Sequence, residues 1–582
     1  MRPLASPRVH GVYYEVSVCS VCDSRHLSNR LRVSIKKVLL IIWKQQCEEE
    51  KAYSALIAPS TNIRNIIEIL IVIVPTPTMA EWFQIKVDRL VKVNNNEEKK
   101  DILTEIKIKL GSCSHAEIEA IARSLDTGSL FLLFSSNDRE VTEQICLIFK
   151  TLFEVLEPGE IYQKYPTRIY ELISHSDVSV RSLILKELLS TASNQQTQLL
   201  LLTDVNLIVA VINRISDEDL TVATSAMCII KEIGKDVNGL KILYHGEPLR
   251  TFAKLIVKND NVSFRIYDVI INIAKNSKEA LEATIQSGFL NSLINILQDV
   301  DILLQMNALE TLTELALTEE GLNYLEQQNV LTELVQKIAQ ANENPLSSLL
   351  IPGLMKFFGN VARLWPNEIF SKYPIVVSSL FEVLDSENHI ILGVALDTLG
   401  HVASSVEGKY ALQALGDSML YALKKIAEII QRMPTELRIS SMNNLTLILN
   451  VQSIEQDNRI LSLTKSWFDA LCDDPLGLIV GLSKQPFADI RSASLEVLAV
   501  VASQAWGQEY ISTYPGLIEF LLDRNIETFK ECKETKYKVV KCLSEAESYI
   551  FDANTMQKFK QFVNEGPFYV ETNTEVAFES AT

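Results

Sequence analysis

The apolar residues of this chain recur with the spacing of α-helices that bury one side. Val222, Ala226, Ile230 and Ile233 follow one another at intervals of four, four and three residues. Three leucines of a later segment share one helical face in the same way: Leu309, Leu312 and Leu315. This periodicity of about 3.6 residues predicts amphipathic helices packed against a common core.

Helical segments of this kind return at a regular interval, each after a short polar turn. The stretch Asp177-Val-Ser-Val-Arg181 resembles Asn261-Val-Ser-Phe-Arg265, and equivalent positions can be followed through nine segments. These anchor positions are Arg139, Arg181, Ala223, Arg265, Gln305, Leu350, Leu392, Arg438 and Arg491. Most intervals between them are close to 42 residues, a length typical of armadillo and HEAT repeats.

A second sequence feature recurs at a fixed distance after some of the anchors. A glycine follows four of them by 16 residues, at Gly239, Gly321, Gly408 and Gly507. We interpret these glycines as helix ends in the left-handed conformation, which residues with a Cβ atom resist. A third helix is then predicted to begin a few residues later, as at Gly288-Phe-Leu290.

Together these landmarks predict an all-α fold, an armadillo/HEAT-type α-solenoid of about nine repeats of roughly 42 residues. One unit of this size cannot bury its apolar face alone, so neighbouring units must stack. We place the solenoid at residues 79–545 and a C-terminal helix and tail at 546–582. Rise and twist per unit would curve the stack and create a long concave surface.

Composition agrees with this fold and argues against several others. The 582 residues include 20 glycines and 17 prolines, and 47% of the residues are hydrophobic. So few turn-forming residues argue against a β-sandwich or a propeller. The net charge of −18 argues against nucleic acid as a main partner, because an acidic surface repels phosphate.

Residues 1–78 differ from the rest of the chain in charge. They carry ten basic and six acidic residues, whereas the remainder carries 45 basic and 67 acidic residues. Met79 follows Pro75-Thr-Pro-Thr78 and resembles an ordinary start. We expect residues 1–78 to be an N-terminal extension that is poorly ordered or mispredicted. The alternative is a targeting or docking arm.

The sequence predicts neither a membrane span nor a signal peptide. Its longest apolar stretches, residues 38–43 and 69–74, are far shorter than the roughly 20 residues that a spanning helix needs. The nine cysteines have no regular spacing, which is typical of reduced intracellular proteins. We therefore expect the protein in the cytoplasm and nucleus.

The predicted third helices carry the best candidate for a binding surface. Within residues 290–297, the apolar positions leave Asn291 and Asn295 together on the opposite face. Stacking would align such pairs into a polar ladder on the concave side. The predicted partner-binding residues are Arg250, Lys254, Asn291, Asn295, Thr332, Gln336, Tyr421 and Lys425. The alternative is an ordinary solvated face.

Candidate chemistry is sparse, and we predict no enzyme, no cofactor and no metal site. The sequence lacks a GxxxxGK phosphate loop, a GxSxG elbow and an HExxH helix. Cys19 and Cys22 form a lone CxxC pair near His26 and Cys47. A single CxxC without a second pair is a weak zinc signal.

Several short sequence segments, in their order along the chain, resemble those of a known family. They are Ile351-Pro-Gly-Leu-Met-Lys-Phe-Phe-Gly-Asn-Val-Ala362, Ser405-Val-Glu-Gly-Lys409, Ser466-Trp-Phe468 with Asp474-Pro-Leu476, Gln485-Pro-Phe487, Tyr514-Pro-Gly516 and Asn564-Glu-Gly-Pro-Phe-Tyr-Val570. This ordered set is similar to the proteasome base assembly chaperones of the 26S proteasome non-ATPase regulatory subunit 5 family. The resemblance covers roughly residues 80–582.

The resemblance implies an α-solenoid that acts as a chaperone in assembly of the 26S proteasome regulatory particle base and leaves before the particle is complete. Its implied partners are the C-terminal domain of a base ATPase subunit and the large non-ATPase base scaffold subunit, with no nucleic acid and no membrane. A generic armadillo-repeat adaptor and an importin-like transport receptor stay open as alternatives. None of the five tryptophans lies in the predicted ladder, which argues against the importin-like reading.

Overall fold

The computed structural model describes residues 78–135, 138–340, 349–547 and 549–570. These residues form 33 α-helices and two short 3-10 helices, and no β-strand occurs among them, so the predicted all-α fold is confirmed. They fall into two compact units that divide between Leu156 and Glu157. Residues 1–77, with the weak zinc candidate at Cys19, Cys22, His26 and Cys47, lie outside the described residues.

The first unit packs its helices around aromatic rings. Its helices are α1 (Met79–Lys92), α2 (Asn96–Gly111), α3 (His115–Ser124), α4 (Thr127–Phe131) and α5 (Arg139–Phe153), with a 3-10 turn at Leu132–Ser135. Phe131 and Phe134 both stack on Phe149, with ring centroids 4.6 and 5.5 Å away. Stacked aromatic rings bury a large apolar area in a small core.

The second unit begins with two short helices, α6 (Glu160–Lys164) and α7 (Pro166–Leu172). Eight repeats of three helices follow in the described part of residues 178–522. Repeats 1 to 4 are α8 (Val178–Ser193), α9 (Gln195–Leu202), α10 (Val205–Arg214); α11 (Leu220–Ile233), α12 (Val237–Leu243), α13 (Gly246–Ile256); α14 (Asp260–Ala274), α15 (Lys278–Gln286), α16 (Phe289–Ile296); and α17 (Ile302–Ala316), α18 (Glu319–Gln327), α19 (Val330–Gln340).

Repeats 5 to 8 continue the same order of helices. They are α20 (Ile351–Leu364), α21 (Pro366–Lys372), α22 (Pro374–Val383); α23 (His389–Val402), α24 (Val406–Gln413), α25 (Asp417–Arg432); α26 (Thr435–Leu449), α27 (Asn458–Asp469), α28 (Pro475–Ser483); and α29 (Ala488–Ala502), α30 (Ala505–Thr513), α31 (Leu517–Leu522). A 3-10 turn, Ser453–Glu455, precedes α27. Two helices, α32 (Lys530–Ser544) and α33 (Ala553–Glu565), end the described unit.

The first helices of successive repeats form a continuous row. Each packs against the first helix of the next repeat, from α8 through α29 and on to α32. Val222, Ala226, Ile230 and Ile233 are all buried in this row, as their helical spacing predicted. The core therefore runs along the stack, and each repeat completes the apolar face of its neighbour.

Six of the nine anchor positions are the fourth residue of a first helix: Arg181, Ala223, Gln305, Leu392, Arg438 and Arg491. The arginines among them reach back to the turn before their own helix or, for Arg438, to Ile430 in the last turn of the preceding helix. Nη1 of Arg181 donates to the carbonyl oxygens of His175 and Ser176 at 2.8 and 2.9 Å. These three arginines therefore join a first helix to the end of the preceding repeat or segment.

The left-handed conformation predicted for the four spaced glycines is wrong. Gly239, Gly321, Gly408 and Gly507 are each the third residue of a second helix, and none has a positive φ. A Cβ atom on Gly408 would lie 1.9 Å from the carbonyl oxygen of Val402, the last residue of the preceding helix. Glycine is required because the corner between the first and second helices leaves no room for a methyl group.

Left-handed residues occur instead at several turns from the second helix to the third. Gly288 has φ 81°, and Asn329 takes the same place in the next repeat with φ 59°. The third helices α16 and α19 begin directly after them, at Phe289 and Val330. The predicted start of α16 is therefore confirmed.

Two pairs of consecutive helices are apolar over a long stretch, although each pair is sharply bent. They are Gln195–Leu202 with Val205–Arg214, bent by 98°, and His389–Val402 with Val406–Gln413, bent by 114°. Among the helices of the described ranges, none is by itself long and apolar enough to cross a membrane.

Candidate functional site

All eight predicted binding residues lie on third helices. The pairs are Arg250 and Lys254 on α13, Asn291 and Asn295 on α16, Thr332 and Gln336 on α19, and Tyr421 and Lys425 on α25. Seven of these side chains are exposed and Lys425 is half-buried. Because residues four apart share a helical face, the members of each pair lie side by side. Their role in binding stays a prediction.

The four pairs do not hold one register relative to the core. Asn291 and Thr332 each come directly after a buried residue of their helix. Arg250 and Tyr421 come two residues after a buried residue. One residue turns the direction of a side chain by about 100° around the helix axis. The predicted ladder therefore consists of two neighbouring polar faces. One face carries amide and hydroxyl side chains, and the other carries charged and aromatic side chains.

Asp385 brings Tyr421 and Lys425 together. The hydroxyl of Tyr421 donates to Oδ1 of Asp385 at 2.6 Å, and Nζ of Lys425 lies 3.2 Å from the same oxygen. The hydrogen bond from Tyr421 lowers the pKa of Asp385, and the same bond raises the pKa of Tyr421. Because Asp385 follows α22, this cluster ties the third helix of repeat 6 to that of repeat 5.

Arg250 and Lys254 both pair with Glu247 on their own helix, at 3.5 and 3.2 Å. The hydrogen bond from Lys254 is the main cause of a lowered pKa at Glu247. Asn291 accepts a hydrogen bond from the hydroxyl of Tyr324 at 3.1 Å. Exposed ion pairs are weak because water and salt screen them, so a partner can replace these contacts at small cost.

The sequence analysis missed a groove of about 370 Å³ on the third helices of repeats 1 and 2. Its lining includes Tyr170, Asn206, Ala210, Asn213, Arg214 and Lys258. The predicted ladder begins at Arg250, so it does not include the third helix of repeat 1. A sequence signal was present, because Asn206 and Asn213 flank the small Ala210 in the sequence.

Buried charged residues elsewhere hold helices together. Lys409 is fully buried, and its Nζ donates to the carbonyl oxygen of Ala403 and to that of Leu447, the latter at 3.2 Å. Burial lowers the pKa of Lys409 to about 8.

The described ranges contain no group of three or more His, Cys, Asp or Glu side chains arranged to hold a metal ion.

The fold and its exposed third helices define a helical-repeat protein of the α-solenoid class. The chain belongs to the family described as Proteasome non-ATPase 26S subunit, whose model matches residues 79–582. Curated relatives are named 26S proteasome non-ATPase regulatory subunit 5. The human protein is 32% identical over 80% of this chain and 93% of its own length. The Drosophila melanogaster protein is 27% identical over 70% of this chain and 79% of its own length.

A solved structure supports the fold independently of sequence identity. Yeast importin-beta superposes with a TM-score of 0.52 at 11% identity, over 84% of this chain and 66% of that chain. At so low an identity the likeness concerns the fold alone. It confirms the predicted HEAT/armadillo-type solenoid.

Proposed function

We propose that this protein is a non-enzymatic chaperone in assembly of the 26S proteasome regulatory particle base. It binds the C-terminal domain of a base ATPase subunit and leaves before the particle is complete. The observation that carries the proposal is membership of the Proteasome non-ATPase 26S subunit family over residues 79–582. The names of the curated relatives support association with the proteasome.

The geometry favours binding over catalysis. The exposed third-helix residues are amides, hydroxyls and charged groups held by weak surface contacts, as at Glu247 and Asp385. The buried ionisable groups, such as Lys409, are tied to backbone carbonyls inside the stack. A surface spread over several repeats suits a folded partner domain, because many modest contacts add up over a large area.

The order of assembly requires a difference in affinity. A chaperone with equal affinity for the precursor and for the finished particle would not change the equilibrium between them. The bound solenoid blocks surfaces of the ATPase subunit and holds a module that includes the large non-ATPase base scaffold subunit. Release follows when the growing particle occupies those same surfaces.

A pull-down with the full chain tests this proposal. The bait is presented with the C-terminal domain of each base ATPase subunit, expressed separately, and we expect it to retain at least one. Replacing Asn291 and Asn295 by alanine is expected to weaken retention. The matched control replaces Lys278 and Glu282, which are also exposed and four residues apart but lie on the second helix α15. Capture of no ATPase domain would end the proposal.

Two other outcomes would redirect the assignment. Binding of a basic localisation peptide would favour an importin-like receptor, and co-purification without any proteasome subunit would favour a generic adaptor.

We also propose that the protein resides in the cytoplasm and nucleus. Imaging of the tagged full chain tests that location, and exclusion from both compartments would contradict it.

A further inference from the structure

The groove on the third helices of repeats 1 and 2 has a lining suited to an extended peptide. Residues of α7, α10 and α13 contribute to it. Asn206 and Asn213 lie on α10 on either side of Ala210, whose short side chain leaves space between them. Nδ2 of Asn213 donates to the carbonyl oxygen of Val209 at 2.9 Å, which leaves its amide oxygen available as an acceptor. Side-chain amides in this position can bond both groups of a peptide backbone.

Two cations of the groove have little charge compensation. Nη1 of Arg214 lies 3.4 Å from a carboxylate oxygen of Asp217, but that carboxylate already pairs with Arg181 at 2.9 Å. Nε of Arg214 is buried and has no hydrogen-bond partner. Nζ of Lys258 donates to the neutral hydroxyl of Ser216 at 3.2 Å, and within the described ranges Lys258 forms no ion pair.

A further guanidinium adds to the positive charge beside the groove. Nη1 of Arg265 donates to the carbonyl oxygens of Ile215 and Asp217, at 3.0 and 2.9 Å. Three arginines and Lys258 therefore meet at the turn 215–217, where the carboxylate of Asp217 is shared between two of them. Several cations on the other third helices have acidic partners, as Lys254 has in Glu247, whereas Lys337 on α19 bonds the amide oxygen of Gln305.

We propose that this groove binds an extended acidic segment of a protein partner. Carboxylates of the segment pair with Lys258 and Arg214, while Asn206 and Asn213 bond its backbone and a small apolar side chain packs over Ala210. Charge complementarity supports this occupant, because a cationic groove on a chain of net charge −18 attracts anionic segments that the remaining surface repels. The inference holds whether or not the partner is an ATPase subunit.

Fluorescence anisotropy with the full chain tests the groove. The probe is a fluorescein-labelled octapeptide, Gly-Glu-Glu-Leu-Glu-Glu-Leu-Gly, and its counterpart carries lysine at every glutamate position. We expect the acidic probe to bind and the basic probe not to bind. Lys258→Glu is expected to weaken the acidic probe at least about tenfold, because attraction is replaced by repulsion. Asn213→Ala removes a backbone hydrogen bond and is expected to cost about threefold to tenfold.

The matched control is Lys241→Glu, which makes the same change of charge at an exposed position of the second helix α12. It is expected to leave binding of the acidic probe unchanged. Equal losses in Lys241→Glu and Lys258→Glu, or preference for the basic probe, would overturn the inference. Binding of inorganic phosphate without binding of the acidic probe would also overturn it. Retention of ATPase domains by the same variants is scored separately, so the groove can fail while the proposed function stands.

Discussion

At the scale of single residues, neighbouring backbone carbonyls set the strictest limits on this chain. Each of the four spaced glycines meets a carbonyl oxygen of the preceding first helix, about 2 Å from where its Cβ would lie, as Gly321 meets that of Leu315. The spacing of these glycines was visible in the sequence, but its reason was not. A glycine needed for positive φ and a glycine needed for lack of space look identical until the neighbouring backbone is placed.

We expect Gly408→Ala to lower the free energy of unfolding by about 1–3 kcal/mol, the usual cost of overpacking. The new methyl group would meet the carbonyl oxygen of Val402, a backbone atom that moves only with its helix. Gly481→Ala is the matched control, because Gly481 lies within α28 and no heavy atom outside its own helix lies within 4 Å of its Cβ position. That change is expected to stabilise by about 0.5–1 kcal/mol. Thermal denaturation compares the two, and a neutral Gly408→Ala would contradict the steric argument.

Lys409 makes stability depend on pH in the alkaline range. Burial lowers its pKa from 10.5 to about 8. Below pH 8 the amine is protonated in both the folded and the unfolded chain, so it contributes no pH dependence. Between about 8 and 10.5 the unfolded chain keeps a proton that the folded chain has lost. Stability therefore rises with pH across that window.

Against Lys409→Met, whose side chain does not titrate, the natural chain is expected to gain about 1–2 kcal/mol of unfolding free energy between pH 7.5 and 9.5. Urea unfolding at both values measures the difference. Lys536 is also buried, with its pKa lowered to about 8. Because Lys536 is present in both proteins, its contribution cancels. Parallel pH profiles for the two proteins would show that Lys409 does not titrate in this window.

At the scale of helices, the anchors join one element to the next. Nη1 of Arg491 donates to the carbonyl oxygens of Gln485 and Pro486, both at 2.9 Å. Its Nε also donates to the buried carboxylate of Glu527 at 3.2 Å, just before α32. One side chain therefore fixes both the turn before its helix and the segment that enters the next first helix.

Arg491→Met is expected to lower the free energy of unfolding by about 3–5 kcal/mol, because it leaves the carboxylate of Glu527 buried without its cation. Adding Glu527→Gln removes that charge and is expected to restore part of the loss. A double-mutant cycle followed by urea unfolding separates the pair energy from the lost backbone hydrogen bonds. Additive losses in the double variant would mean that the two side chains do not interact.

The helices and their order could be predicted, whereas the binding faces could be predicted only in part. The apolar spacing and the anchors are properties of single helices, so they can be recognised from the local sequence alone. Arg250 and Asn291 were placed on the correct helices, but their registers differ by one residue. The groove escaped prediction because its lining comes from three helices of successive units and the turns after them, and its first and last residues, Tyr170 and Lys258, are far apart in sequence.

At the scale of the second unit, stability is shared between neighbours along the stack. The last helix, α33, packs against α32, and Phe559 from α33 is fully buried. Arg524 fastens this end, with its guanidinium 3.7 Å from the ring centroid of Phe562 and 2.7 Å from the carbonyl oxygen of Gly566. A stack of this kind is stabilised by contacts between neighbouring repeats. A destabilising substitution at one end therefore lowers the stability of the adjacent repeat most.

Phe559→Ala is therefore expected to cost about 3–5 kcal/mol at this end of the unit, the usual loss for a buried phenylalanine. Hydrogen exchange should become faster in α33 and α32 and stay unchanged in repeats 1 and 2, because each repeat transmits stability only to its neighbours. Phe568→Ala is the control, since that ring is 51% exposed and should alter neither region. Faster exchange spread evenly over all eight repeats would mean that the second unit opens as one cooperative body, and the nearest-neighbour account would then be wrong.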